Sequence, residues 1–115
     1  MSVKLSAAQQ LGYWLEANNP GCWVTEYRFH PERKFRLDWA YPGIRMGVEL
    51  DGMLPSGVAS HQTIKGATRD REKDMYALAS RWIVARVTTG QVLEGKIFTL
   101  LAQIIWQRET DIASA

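Results

Sequence analysis

The chain has 115 residues, a formal net charge of +2 and a hydrophobic fraction of 46%. That is one domain with enough apolar residues for a core, so it excludes a disordered chain and is short for an elaborate enzyme. A net charge so close to zero neither demands nor excludes a nucleic-acid partner. A single cysteine, Cys22, rules out an internal disulfide and reads as a small buried apolar residue. With no apolar run following Lys4 and none as long as a membrane span, the expectation is a cytoplasmic protein without a membrane segment.

In chain order, Leu5, Ala8, Leu11, Gly12 and Leu15 recur at helical spacing and predict a helix over 6–17, stopped by Asn18-Asn19-Pro20-Gly21. Aromatic and β-branched residues predict a strand over 23–29, and His30-Pro31-Glu32-Arg33 a turn. Strands over 34–40 and 45–51 follow, joined by a turn on Tyr41-Pro42-Gly43. Gly52, Pro55, Ser56, Gly57 and Ser60 mark a loop over 52–63, placed where a site would have its rim. A helix over 67–81 turns Met75, Leu78, Ala79 and Trp82 inward. The strand over 82–88 is apolar almost throughout, which predicts burial on both faces. The last helix spans 92–107, with a core stripe of Leu93, Ile97, Leu100, Leu101 and Ile104. Phe98 and Ile105 widen that stripe or offer a surface to a second copy. Residues 111–115 read as a disordered tail after a single domain over 1–110. The order α-β-β-β-α-β-α predicts an α/β fold, a mixed sheet with antiparallel strands flanked by helices.

Three acids stand out. Asp38 lies in Phe35-Arg36-Leu37-Asp38-Trp39, and Glu49 and Asp51 lie in Val48-Glu49-Leu50-Asp51. Side chains alternate along a strand, so Glu49 and Asp51 share a face. If the two strands pair with Asp38 on that face, three carboxylates converge and repel unless a cation sits among them. Hard oxygen donors of this kind suit Mg²⁺ or Mn²⁺, with the Leu50 backbone carbonyl as a further ligand. The plain alternative is that the acids face solvent. Three acids on two otherwise core-forming strands weigh against it.

Around them lie residues suited to a polyanion. Arg33, Arg36, Lys65 and Arg69 are candidate phosphate contacts; Arg36 shares the face of Asp38 by alternation. His61 is a candidate general base or phosphate anchor, and equally an ordinary loop histidine. Lys73 is a candidate for stabilising charge on a leaving oxygen, and equally a member of an exposed ion-pair pattern. Glu26 could add a carboxylate from the first strand; Glu16 on the first helix is weaker. The five tryptophans read mostly as core, with Trp39 packed under the site.

These pieces resemble the PD-(D/E)XK nuclease superfamily, in particular its small stand-alone very-short-patch-repair-like and phage-borne, VRR-NUC-like domains. The matching runs are Phe29 through Asp38, Val48-Glu49-Leu50-Asp51-Gly52, His61, Asp70-Arg71-Glu72-Lys73 and Trp82-Ile83-Val84-Ala85-Arg86-Val87. The resemblance implies a restriction-endonuclease-like αβββαβ core with a C-terminal helix, and Mg²⁺- or Mn²⁺-dependent cleavage of DNA phosphodiesters with Asp38 and Glu49 as ligands. It also suggests a DNA repair or recombination setting, no organic cofactor and a possible homodimer. Asp51 stands where the superfamily usually has lysine, so Lys73, Lys65 or His61 would have to supply that role. Arg81 stands before Trp82 where relatives tend to carry glycine. Two classes of function follow: a metal-dependent DNA endonuclease, nicking or acting on branched DNA, or a nuclease-fold module that grips nucleic acid without cutting it.

Overall fold

A computed structural model of the chain describes residues 4–52 and 64–115. Helix α1 (Ala7–Asn18) starts where Ser6 and Gln9 form a reciprocal capping box: the Ser6 hydroxyl accepts from the Gln9 N–H at 3.1 Å, and the Gln9 amide oxygen accepts from the Ser6 N–H at 2.9 Å. At its far end Glu16 accepts from the Gly21 N–H at 2.9 Å. Glu16 therefore helps to close the helix end. Cys22, just beyond, is half-buried rather than buried. Strands β1 (Val24–Arg28) and β2 (Arg36–Tyr41) follow, then a 3₁₀ turn (Pro42–Ile44) and strand β3 (Met46–Asp51). Helix α2 (Ile64–Ala79), strand β4 (Ile83–Thr88) and helices α3 (Thr89–Glu94) and α4 (Ile97–Ala113) complete the chain. Among the described residues no helix is long and apolar enough to cross a membrane.

The strands form one sheet in the order β1-β2-β3-β4, antiparallel except for the parallel β3–β4 pair that α2 connects. This is the expected α/β architecture with two corrections. β4 is an edge strand in which only Val87 is fully buried, and the strand enclosed on both faces is β3. An apolar run tells how much of a strand is covered only once its neighbours are known. The C-terminal segment is two helices. Thr88 and Gln91 form a second capping box, which starts α3 earlier than apolar spacing suggests. Gly95, at φ 93°, then ends it in the left-handed region that favours glycine. α4 runs on through Asp111 to Ala113.

Each face of the sheet carries its own core. Ala7, Leu11, Leu15, Met46, Val48, Val87, Val92, Leu101 and Ile105 pack where α1, α3 and α4 cover one face. Phe29, Phe35, Leu37, Ala40, Ala77 and Trp82 pack beneath α2 on the other. Ile105, expected at the margin of the last helix, is central, whereas Leu93 and Leu100 are about half exposed. Met75 and Leu78 are exposed too, and Ala77 is the buried residue of α2. Four tryptophans pack against the two cores and Trp106 faces solvent. Arg108 of α4 ties the turns together, donating to the Ile44 and Arg81 carbonyls at 2.7 Å each.

Arg81 itself has φ 63°. A side chain in this region costs about 1–2 kcal/mol relative to glycine, partly offset by the unfolded-state entropy of glycine. Arg81→Gly is expected to raise stability by about 1 kcal/mol, read as a shift of the urea midpoint at constant m-value.

Candidate active site

β2 and β3 pair at Tyr41↔Met46, Ala40↔Gly47 and Trp39↔Val48, and the pairing stops there. Continuing that register would set Asp38 opposite Glu49. Instead the Asp38 carboxylate takes the acceptor position itself, receiving the Leu50 N–H at 2.9 Å. The opposite side of β2 is disturbed at the same level. In the β1–β2 register Glu26 falls opposite Asp38 and is left out of the pairing, with φ 50° in the middle of its strand. The alternation of β2 breaks here. Leu37 packs in the core under α2, whereas Trp39, two residues on, packs against α1. Asp38 thus sits at a local kink. Arg36 is not set beside it by simple alternation: it is exposed and makes no ion pair with a described residue.

β3 keeps its alternation. Met46 and Val48 enter the α1–α4 core, which turns Gly47, Glu49 and Asp51 toward α2. A Cβ on Gly47 would lie 2.7 Å from Leu37 Cδ1, so the buried Leu37 side chain packs directly over Gly47 and would have to shift to admit a larger residue there. Glu49 is 7% exposed and is the buried charged residue of the described chain. Its Oε1 meets the Lys73 ammonium in a direct ion pair and has no other hydrogen-bond partner among the described residues. Burial raises the Glu49 pKa above the usual carboxylate range; Lys73 and Arg86 oppose that rise, and the nearby Asp38 charge reinforces it. Since native Glu49 holds its proton more tightly than in the unfolded chain, its ionisation costs stability as pH rises through that window.

Asp51 does not join the other two acids. Its exposed carboxylate lies 3.9 Å from Arg86 on the neighbouring strand β4, and Arg86 also makes a direct ion pair with Asp74 of α2. The guanidinium pKa is raised: burial alone would lower it, but Asp74 first, then Glu49 and Asp51, outweigh that. Among the described residues no three His, Cys, Asp or Glu side chains group as metal ligands, so the expected convergence of three carboxylates reduces to Asp38 and Glu49. Asp51 lies instead beside the cation on β4.

The other candidates divide. Lys73 reaches the site from the centre of α2. Arg33 pairs with Glu72 at 3.3 Å and lies over the rings of Phe35 and Tyr76 at 5.0 and 5.2 Å. Arg69 shares with Arg33, Lys34, Glu32 and Phe35 a hollow of about 350 Å³. Lys65 is exposed on the first turn of α2, and Glu26 is exposed on β1. His61, with Pro55, Ser56, Gly57 and Ser60 of the expected loop, lies outside the described residues. Arg86 and Asp74, whose ion pair lies beside Asp51, are not among the candidates that the sequence singles out. Arg86 sits in an apolar run on an edge strand, and its signal is a charge placed where the neighbours are Val, Ile and Ala.

The donor set fits a hard divalent cation. Two carboxylates, one of them buried with a raised pKa and a single cationic contact, are what such an ion would relieve, and Mg²⁺ takes one or two carboxylates and completes its shell with water and phosphate oxygens.

No protein-family profile and no curated protein matches the chain. Among solved structures it is similar to the Homing Endonuclease I-Bth0305I Catalytic Domain, with a TM-score of 0.64 over 95% of this chain and 98% of that one, at 12% sequence identity. At that identity the likeness concerns the fold: a nuclease-like α/β fold with a four-stranded mixed sheet.

Proposed function

We propose that the chain is a metal-dependent DNA endonuclease of PD-(D/E)XK type, similar to the phage-borne and very-short-patch-repair-like domains and hydrolysing phosphodiester bonds in the cytoplasm. The observation that carries this is buried Glu49, ion-paired with Lys73 and close enough to the Asp38 charge to feel its repulsion, at the kinked centre of the sheet. The fold shared with an endonuclease catalytic domain supports it.

Asp38, Glu49 and the Leu50 carbonyl would hold Mg²⁺ or Mn²⁺, which supplies charge to the scissile phosphate and lowers the pKa of the attacking water. Lys73 takes over the role of the lysine that Asp51 displaces. It comes from α2 and already touches Glu49, so when phosphate enters, its ammonium is placed to stabilise charge on the reacting oxygens. Asp51, held by Arg86, orients the site without ligating it. Arg33 and Arg69 contact the DNA backbone beside α2, with Arg36 and Lys65 as outlying contacts.

The test is incubation of supercoiled plasmid and of branched DNA with the protein and Mg²⁺ or Mn²⁺. Nicking or cutting that EDTA abolishes is expected. Binding of DNA with no cleavage under either metal would sink the enzyme reading and leave the nucleic-acid-binding module in its place.

A further inference from the structure

Three successive residues of α2 each meet a different part of the sheet. Glu72 pairs with Arg33 in the β1–β2 turn, Lys73 with Glu49 on β3, and Asp74 with Arg86 on β4. Successive helical residues are about 100° apart, so Glu72 and Asp74 flank Lys73 on its two sides. Among the described residues the apolar hold on this helix is slight. Ala77 is its one fully buried residue, Tyr76 packs on Phe35 and His30 with ring centroids 5.7 and 4.9 Å away, and Met75 and Leu78 face solvent. A helix seated by so small an apolar face has little packing to set its rotation about its own axis. Rotation decides whether Lys73 points at Glu49.

We infer that Arg86 and Arg33 are positioning residues that brace α2 from either side, through Asp74 and Glu72, and so aim the Lys73 ammonium at Glu49. Arg86 is the stronger brace. Its side chain is 31% exposed, against 45% for Arg33, it bonds Asp74 directly, and Asp51 anchors its other nitrogen from β3. Exposed pairs such as Arg33–Glu72 are individually weak, but here they act on an angle, where small displacements have large effects on reaction rate. The part of this inference that concerns rate rests on the endonuclease reading; the part that concerns the direction of Lys73 does not.

The test uses trace acetylation of the full chain, with labelling at each lysine read by mass spectrometry. Lys73 has a side chain 16% exposed and exposed Lys65 is the internal reference. In the wild type Lys73 is expected to be protected. Arg86→Gln is expected to bring its labelling toward that of Lys65, and to lower the single-turnover cleavage rate by roughly 10- to 100-fold with DNA affinity unchanged. Arg86→Lys, which keeps the charge, is expected to restore much of both; Arg33→Gln should give the smaller change in Lys73 labelling. Asp74→Asn removes the same tether from the helix side at a half-exposed position and should expose Lys73 even if Arg86→Gln folds poorly. Protection of Lys73 unchanged in folded Arg86→Gln or Asp74→Asn overturns the inference, as does a fall in rate and melting temperature without new labelling. A wild type that cuts no DNA defeats the endonuclease reading, while the labelling still decides the brace.

Discussion

Replacing Lys73 by methionine is expected to destabilise the protein by about 3–5 kcal/mol near neutral pH. Methionine keeps the length and most of the apolar stem of lysine, so little packing is lost. What is lost is the counter-charge of Glu49, which is 7% exposed and whose Oε1 has no other partner among the described residues. Removing one member of a buried pair leaves the other desolvated and uncompensated. The sign of the pH dependence separates this from a packing defect. Burial already raises the Glu49 pKa, and Lys73 is the main influence lowering it, so the variant pushes it higher. An acid whose native pKa lies above its unfolded value costs stability once pH exceeds the unfolded value, and the cost grows until the native pKa is passed. The loss should therefore be largest at neutral and alkaline pH and should shrink toward about pH 4, where Glu49 is protonated in the native state and largely so in the unfolded chain. Urea titrations of both proteins at several pH values give the comparison. A loss independent of pH would mean that Lys73 matters for packing alone. The double variant Lys73→Met/Glu49→Leu should recover most of the stability, since an apolar pair can replace a buried ion pair at little cost. It should recover no cleavage.

Asp38→Asn is expected to abolish detectable cleavage, a fall on the order of 10²–10³-fold or more, while leaving the fold within about 1 kcal/mol of wild type. The Asp38 carboxylate has a structural task as well as a proposed chemical one. It accepts the Leu50 N–H where the β2–β3 ladder has ended. Asparagine still offers a carbonyl oxygen for that bond but carries no charge to hold a divalent cation. Asp38→Ala removes both, so the Leu50 N–H loses its acceptor and a cost of about 1–3 kcal/mol is expected on top of the same loss of cleavage. Comparing the two in plasmid nicking and in thermal melting separates the roles. Asp38→Asn that cuts as fast as wild type would remove Asp38 from the proposed ligand set.

Glu49 in a core-forming strand is a strong signal in the amino-acid sequence alone. A charge flanked by Val48 and Leu50 must be paired or functional if the strand is internal, and β3 is indeed the enclosed strand. Asp38 carries a similar signal from Leu37 and Ala40. What alternation does not convey is the kink. Glu26 at φ 50° and the switch of core between Leu37 and Trp39 depend on how three strands fit together, and they detach Arg36 from the site. The inward face of α2 is misleading for a related reason. Met75 and Leu78 have the hydrophobicity of core residues, yet this helix is seated by a small alanine, a tyrosine and charges.

Local chemistry is sufficient wherever a residue's neighbours in sequence are also its physical partners. The start of α1, the stop at Asn18-Asn19-Pro20-Gly21 and the strand order of the first hairpins belong to that class. The third acid does not. Asp51 follows Glu49 on the same strand and the same face, and nothing nearby in the chain distinguishes them. Packing separates them: α2 and Lys73 close over Glu49, while Arg86, 35 positions beyond Asp51, lies alongside Asp51 at the edge of the sheet. Charges are assigned to partners across a sheet by distance and burial, and those are set only when the parallel strand β4 has been brought back beside β3.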